Sequence, residues 1–372
     1  MSWSSVAALV TALSLLACAS ESARDANEQP KAGVATASAT ATTSSHDAAA
    51  SASAAAASAA ASASVSAAPD PLTAPAILDD ATFLASPGLR GRGSASEDEE
   101  AAAAWLAGEL EDAGIPPYEG RRIEPFKFGK KTERQSRNVL GVIEPHGADR
   151  KEVVVLGAHY DHLGEHNKKL YPGAEDNASG TAVVLAVARA LRARRGELGR
   201  RVVIAFFGAE ELGLHGSRAL VKDWDFTRRP VTAMVNVDMI GRPLVDMPAF
   251  WLGARLFGVM KDVDPERSVG VLISDAPPEG FEQAVRTACA SQGVRAVLPK
   301  DLPGSLRGKV EAMAKGRSDH APFEDKKVPF VFFSSGESTD YHEPTDTADR
   351  LHPLVLERRA RAILETVIAV SK

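Results

Sequence analysis

Four short stretches of this 372-residue chain carry side chains able to hold a metal and move protons: Gly157-Ala-His159-Tyr-Asp161-His162, Phe207-Gly-Ala-Glu210-Glu211, Val235-Asn-Val-Asp238 and Tyr341-His342-Glu-Pro-Thr345-Asp346-Thr347. A fifth, Gly173-Ala-Glu-Asp176-Asn177-Ala-Ser-Gly180, lies between the first two. Imidazoles and carboxylates without thiolates suit zinc, or a harder ion such as cobalt or manganese, in a hydrolytic rather than a structural site. Cys18 and Cys289 are the only cysteines, which excludes a disulfide framework and a multi-thiolate zinc site. Two metals about 3.5–4 Å apart would need a bridging carboxylate and would flank an attacking water. Neighbouring side chains on extended backbone point apart, so the doublet Glu210 and Glu211 can supply one ligand and one base. Taken singly, each stretch also reads as structure: an ion pair, a solvated turn, a packing glycine.

Occurring together in this order, the stretches make the chain resemble peptidase family M28, the co-catalytic zinc aminopeptidases of clan MH. The resemblance runs from about Leu84, where Leu89-Arg-Gly-Arg-Gly is similar to the family's opening segment, to the C-terminus. It implies that His159 and Asp238 complete one zinc corner and Glu211 and His342 the other, with Asp176 bridging both. It makes Glu210 the general base and gives Asp161 the task of orienting the His159 imidazole. The resemblance further implies a cis peptide between Asp176 and Asn177. Tyr341 is expected to donate to the oxyanion, and Ser318-Asp319-His320-Ala-Pro-Phe323 to support the ligands from behind. His162 is expected either to support the ligands from behind or to lie at the rim, Asp346 as a turn cap, and Glu175, where relatives carry aspartate, without consequence.

The implied activity is removal of residues from peptides with a free N-terminus, using two Zn2+ that Co2+ or Mn2+ can replace. A monomer active near neutral to mildly alkaline pH is expected. Three rivals stand beside it: a carboxypeptidase or dipeptidase of the same superfamily, for which Arg242 could hold the substrate carboxylate; a one-zinc enzyme like glutaminyl cyclase; and a non-catalytic binding module. The specificity pocket is expected between Gly241 and Arg317.

Elements that could position these groups are legible around them. Asn138 to Ile143, Glu152 to Gly157, Arg201 to Phe207, Val231 to Val237 and Pro329 to Phe333 are short β-branched or aromatic runs, predicted to be strands buried on both faces. Helical spacing marks Glu97 to Ala113, Ala178 to Leu191, Leu212 to Val221 and Pro353 to Val370. Such alternation predicts an α/β fold, a three-layer sandwich with a central mixed, mostly parallel sheet, and the resemblance makes it that of zinc-dependent exopeptidases. Open sheets of this kind bind ligands at the carboxyl ends of their strands, where four of the five stretches fall.

The remaining features concern location. A net charge of −6 and a pI near 5.9 argue against a nucleic-acid partner. Val6 to Ala17 is uncharged and too short to span a bilayer, as in a signal-peptide core. It ends in Leu15-Leu16-Ala17-Cys18, which resembles the lipobox of bacterial lipoproteins. From Ala32 to Ala68 the chain is almost wholly Ala, Ser and Thr, which cannot bury a core and is predicted to be a disordered tether. The expected organisation is a signal peptide over 1–17, a lipidated tether over 18–70 and a peptidase domain over 71–372. That describes an exported bacterial cell-envelope protein whose one contact with membrane is a lipid on Cys18.

Overall fold

The computed structural model describes residues 69–147, 151–256, 258 and 260–372. The expected signal segment, Cys18 and the tether as far as residue 68 lie outside the described residues. After helix α1 (Ala74–Leu84) and a 3-10 turn at Pro87–Arg92, helix α2 (Glu97–Asp112) starts where the Ser96 hydroxyl accepts the Glu99 N–H and four acids occupy the first turn. Both features stabilise a helix N-terminus.

The strands are β1 (Ile123–Phe128), β2 (Arg134–Ile143), β3 (Val153–His159), β6 (Arg201–Phe207), β7 (Val231–Val237), β8 (Ser268–Ile273), β9 (Arg295–Val297) and β10 (Phe330–Ser334), with a small hairpin formed by β4 (Gly164–His166) and β5 (Lys169–Tyr171). The large sheet has the order β1-β2-β6-β3-β7-β10-β8-β9. Its four central neighbours, β6, β3, β7 and β10, are mutually parallel, while β1, β2 and the β10–β8 pair run antiparallel. Every residue of β3 and β6 is buried, as expected for strands covered on both faces.

Period-two alternation sorts the sheet's side chains into two cores. Val154, Leu156, Ile204, Phe206, Val235 and Phe333 pack with α1, α2, α3 (Gly180–Ala193), α6 (Phe281–Ser291) and α9 (Pro353–Ser371). Val155, Val203, Phe207, Met234 and Phe332 face the opposite layer, with α4 (His215–Asp223) and α8 (Ala321–Glu324). The chain leaves β3 through α3 to reach β6 on one side, then crosses by α4 to β7 on the other. Strand order therefore reverses around β3, the place where an open sheet leaves a crevice at its carboxyl edge. Helices α5 (Pro248–Leu256) and α7 (Gly304–Ala314) belong to the segment between β7 and β10.

Candidate metal centre

The parallel strands deliver the site. His159 is the last residue of β3, Glu210 and Glu211 follow β6, Asp238 follows β7, and His342 lies beyond β10. Ala209, Met239 and His342 itself have φ of 51°, 54° and 57°. Left-handed backbone at non-glycine residues costs energy and concentrates at functional sites.

Asp176 sits at the centre. Its Oδ1 is 3.4 Å from His159 Nε2 and its Oδ2 is 3.2 Å from His342 Nε2. His159 Nε2 is also 3.3 Å from Asp238 Oδ1, and His342 Nε2 is 3.4 Å from Glu211 Oε2. The five expected ligands are thus brought together as two corners sharing one carboxylate. Ligand atoms of His159, Glu210 and Asp238 lie within 4.8 Å of one another, and those of His162, Asp176 and Glu211 do the same. The peptide between Asp176 and Asn177 is cis.

Supporting contacts explain how each ligand is held. His159 Nδ1 faces the backbone carbonyl of Asp161 at 3.2 Å, which leaves Nε2 for a metal. The Asp161 carboxylate, expected in that place, lies farther away at 3.8 Å; it accepts instead the N–H groups of Glu210 and Glu211 at 3.0 and 3.3 Å and the Ser94 hydroxyl. Ser318 donates to Asp238 Oδ2 at 2.7 Å and accepts from Asn236. Asp346 caps a turn far away in sequence, accepting the N–H groups of Glu175 and Asp176 at 2.9 and 3.1 Å. Glu175 is not idle: its carboxylate accepts the N–H groups of Gly241 and Arg242 at 2.8 and 3.3 Å and so ties the bridging loop to the segment after Asp238. From α9, the buried Arg359 donates to the carbonyls of Ile240, Arg242 and Ser268 and to the Ser335 hydroxyl.

Of the two places expected for His162, the rim is excluded: the ring is fully buried, with Nδ1 2.8 Å from Glu211 Oε1. Arg242, the candidate for a substrate carboxylate in the carboxypeptidase reading, is engaged by Asp340 at 2.6 Å and Asp246 at 2.7 Å. Asp319 and His320, adjoining Ser318, are fully buried and form wall, His320 against the rings of Phe330 and Phe332. Tyr341 stacks on His342 with ring centroids 3.9 Å apart.

Electrostatics test whether a cation fits. Burial lowers the proton affinity of His342, yet the carboxylates of Asp176 and Glu211 push it up to about 11. Burial and Asp176 raise Glu211, but hydrogen bonds from His162 and His342 bring it down to about 2. Burial, resisted by His159 and reinforced by Glu211 and Asp319, drives Glu210 well above the usual carboxylate range. Imidazoles are thus made to carry protons by a surplus of buried carboxylates, which is the charge a divalent ion would neutralise. His342 Nε2, itself enclosed, stands 3.2 Å from Asp176 Oδ2 and 3.4 Å from Glu211 Oε2, among the atoms an ion would engage. The residues fit metal.

Residues 138–367, well over half of the chain, match the model of Peptidase family M28. The chain is 36% identical over 250 residues to Aminopeptidase YwaD of Bacillus subtilis (strain 168), covering 65% of this chain and 46% of that protein. It is 26% identical over 238 residues to Leupeptin-inactivating enzyme 1 of Streptomyces exfoliatus, covering 58% and 45%. It therefore spans a little under half the length of these curated relatives. The fold is similar to that of BSAP, a zinc aminopeptidase from Bacillus subtilis, with a TM-score of 0.60 at 16% identity, covering 80% of this chain and 95% of that one. It is also similar to a glutaminyl cyclase from Porphyromonas gingivalis, with a TM-score of 0.57 at 18% identity, covering 79% and 97%. At those identities the likeness is one of fold.

Proposed function

The chain belongs to peptidase family M28, and on that premise we propose that it is a two-metal aminopeptidase, with zinc the native ion and cobalt or manganese able to replace it. The observation that carries this reading is the division of Asp176 between two imidazoles, Oδ1 toward His159 and Oδ2 toward His342. His159 and Asp238 would hold one ion, Glu211 and His342 the other, and Asp176 both. When bound, such a pair supplies an activated water and polarises the scissile carbonyl.

The chain's own groups do the rest. Glu210, buried beside the His159 corner, takes the proton of the attacking water and returns it to the leaving amine. Tyr341, fixed in orientation by stacking on His342, directs its phenol to the oxyanion. Asp161 sets where Glu210 stands by holding its backbone. A carboxypeptidase reading loses support because Arg242, its candidate for the substrate carboxylate, is closed off by Asp340 and Asp246. The fold alone does not choose between aminopeptidase and cyclase; two adjacent ligand corners support the former.

The test is hydrolysis of leucine p-nitroanilide beside its N-acetylated analogue, with chelator and zinc add-back. Cleavage of the free-amine substrate alone, lost with chelator and restored by zinc, is the expected result, and cleavage of the acetylated analogue would refute it. We further propose that the protein acts as a monomer in the bacterial cell envelope, with residues 1–17 removed, a lipid on Cys18, a tether to residue 70 and the peptidase domain over 71–372. Incorporation of labelled fatty acid that disappears in Cys18→Ser tests the anchor.

A further inference from the structure

Beyond the five ligands, one buried imidazole has no role in the reading above. His162 directs Nδ1 at Glu211 Oε1, 2.8 Å away, while its Nε2 is enclosed without a partner. Nδ1 is therefore the ring nitrogen placed to donate to that carboxylate oxygen. His342 takes the other oxygen, Oε2, at 3.4 Å. The two imidazoles therefore divide Glu211 between them, from a buried side and a partly exposed one.

The ring of His162 is held from three directions. Its backbone N–H donates to the Arg92 carbonyl at 3.1 Å, in a bridge between His162 and Gly93. Gly173 lies against the ring face so closely that a Cβ there would come within 2.4 Å of His162 Cγ. The fully buried Arg92 guanidinium donates to the carbonyls of Tyr160, Pro172 and Gly173, joining the turn that carries His162 to the loop that carries Asp176. A histidine so enclosed cannot swing away when Glu211 engages an ion.

We propose that His162 is a positioning residue for the second metal corner: it occupies Glu211 Oε1 and so presents Oε2 alone, in one fixed orientation, to the ion shared with Asp176 and His342. A donor fixed on one carboxylate oxygen limits the group to one binding mode and lowers the cost of organising it. This inference rests on the two-metal reading.

The experiment measures zinc binding directly, by elemental analysis and chelator competition on the full chain, with His162→Phe and His162→Asn beside the parent. Phenylalanine keeps a ring against Gly173 and removes the donor; the asparagine amide restores a donor near the Nδ1 position. His162→Leu serves in place of phenylalanine if that ring does not fit, and unfolding of the metal-free proteins checks that each is folded. The expected result is a roughly 10–100-fold loss of affinity for the weaker ion in the phenylalanine variant, with the stronger ion unaffected and the loss largely recovered in the asparagine variant. Parent-like binding in both variants overturns the proposal. So does an equal loss in both, which would make the imidazole itself a ligand. A parent that takes up fewer than two zinc ions refutes the two-metal reading and this proposal with it, an outcome distinct from variants that match a two-zinc parent.

Discussion

The carboxylate of Asp161 accepts the backbone N–H of Glu210 at 3.0 Å and, through its other oxygen, that of Glu211 at 3.3 Å. One buried acid thus fixes the two-residue segment that is to provide both the base and a ligand. Asp161→Ala is expected to lower kcat/KM by roughly 10–100-fold, with Asp161→Asn in between because its amide retains one acceptor oxygen. Steady-state kinetics at saturating zinc check this, and parent-like kinetics in both variants would show that the segment holds itself.

Glu210→Gln removes the proposed proton carrier and keeps the side chain's shape. A fall in kcat of roughly 10²–10⁴ is expected, with zinc stoichiometry unchanged. Elemental analysis beside single-turnover kinetics separates the two roles of the doublet. Loss of an ion on this substitution would move Glu210 into the ligand set.

Gly180 opens α3 where a Cβ would meet Asn177 Oδ1 at 2.2 Å and the Val237 carbonyl at 2.7 Å. Asn177 uses that same oxygen to accept the N–H groups of Gly180 and Met239. Gly180→Ala is therefore expected to cost about 1–3 kcal/mol in denaturant unfolding and to weaken metal uptake. Gly108, exposed inside α2 with nothing near its would-be Cβ, is the control: Gly108→Ala is expected to stabilise by about 0.5–1 kcal/mol.

His320 lies between Phe330 and Phe332 with ring centroids 4.6 and 4.7 Å away, and burial pushes its proton affinity down to about 3. In the unfolded chain an imidazole titrates near 6.5. Between those values the unfolded state binds the proton and the folded state does not, so this group's contribution is present above pH 6.5 and lost as pH falls. His320→Phe removes that loss. The stability difference between pH 6.5 and pH 5 should shrink by about 2 kcal/mol relative to the parent in urea melts at both pH values. An unchanged difference would mean that His320 finds a proton partner in the fold.

What the sequence disclosed follows the physics of each element. β6 and β7 have the boundaries read from their continuous β-branched and aromatic runs, because strands buried on both faces need no pattern from their neighbours. β1 contains Pro125, β8 contains Gly270, and β9 has three residues; such strands, at or next to the edges of the sheet, are defined by the partners that pair with them, and their sequences give little sign of it. The ligand stretches were legible because strand ends concentrate them. His162 was legible only as an alternative between support and rim: alternation along β3 stops at His159, and the turn beyond it returns the ring toward Glu211. The work of Asp346 and Glu175 was equally hidden, since each serves backbone N–H groups, which carry no residue identity.

The grip of Arg359 on the carbonyls of Ile240, Arg242 and Ser268 has a consequence in time. Chains are synthesised from the N-terminus, and α9 follows every other described element. On the ribosome, the strands bearing His159, Glu210 and Asp238 emerge well before the arginine that secures the turn after Asp238. A nascent chain would thus carry His159, Glu210 and Asp238 before either His342 or Arg359 exists, so the turn after Asp238 is secured only once α9 has emerged.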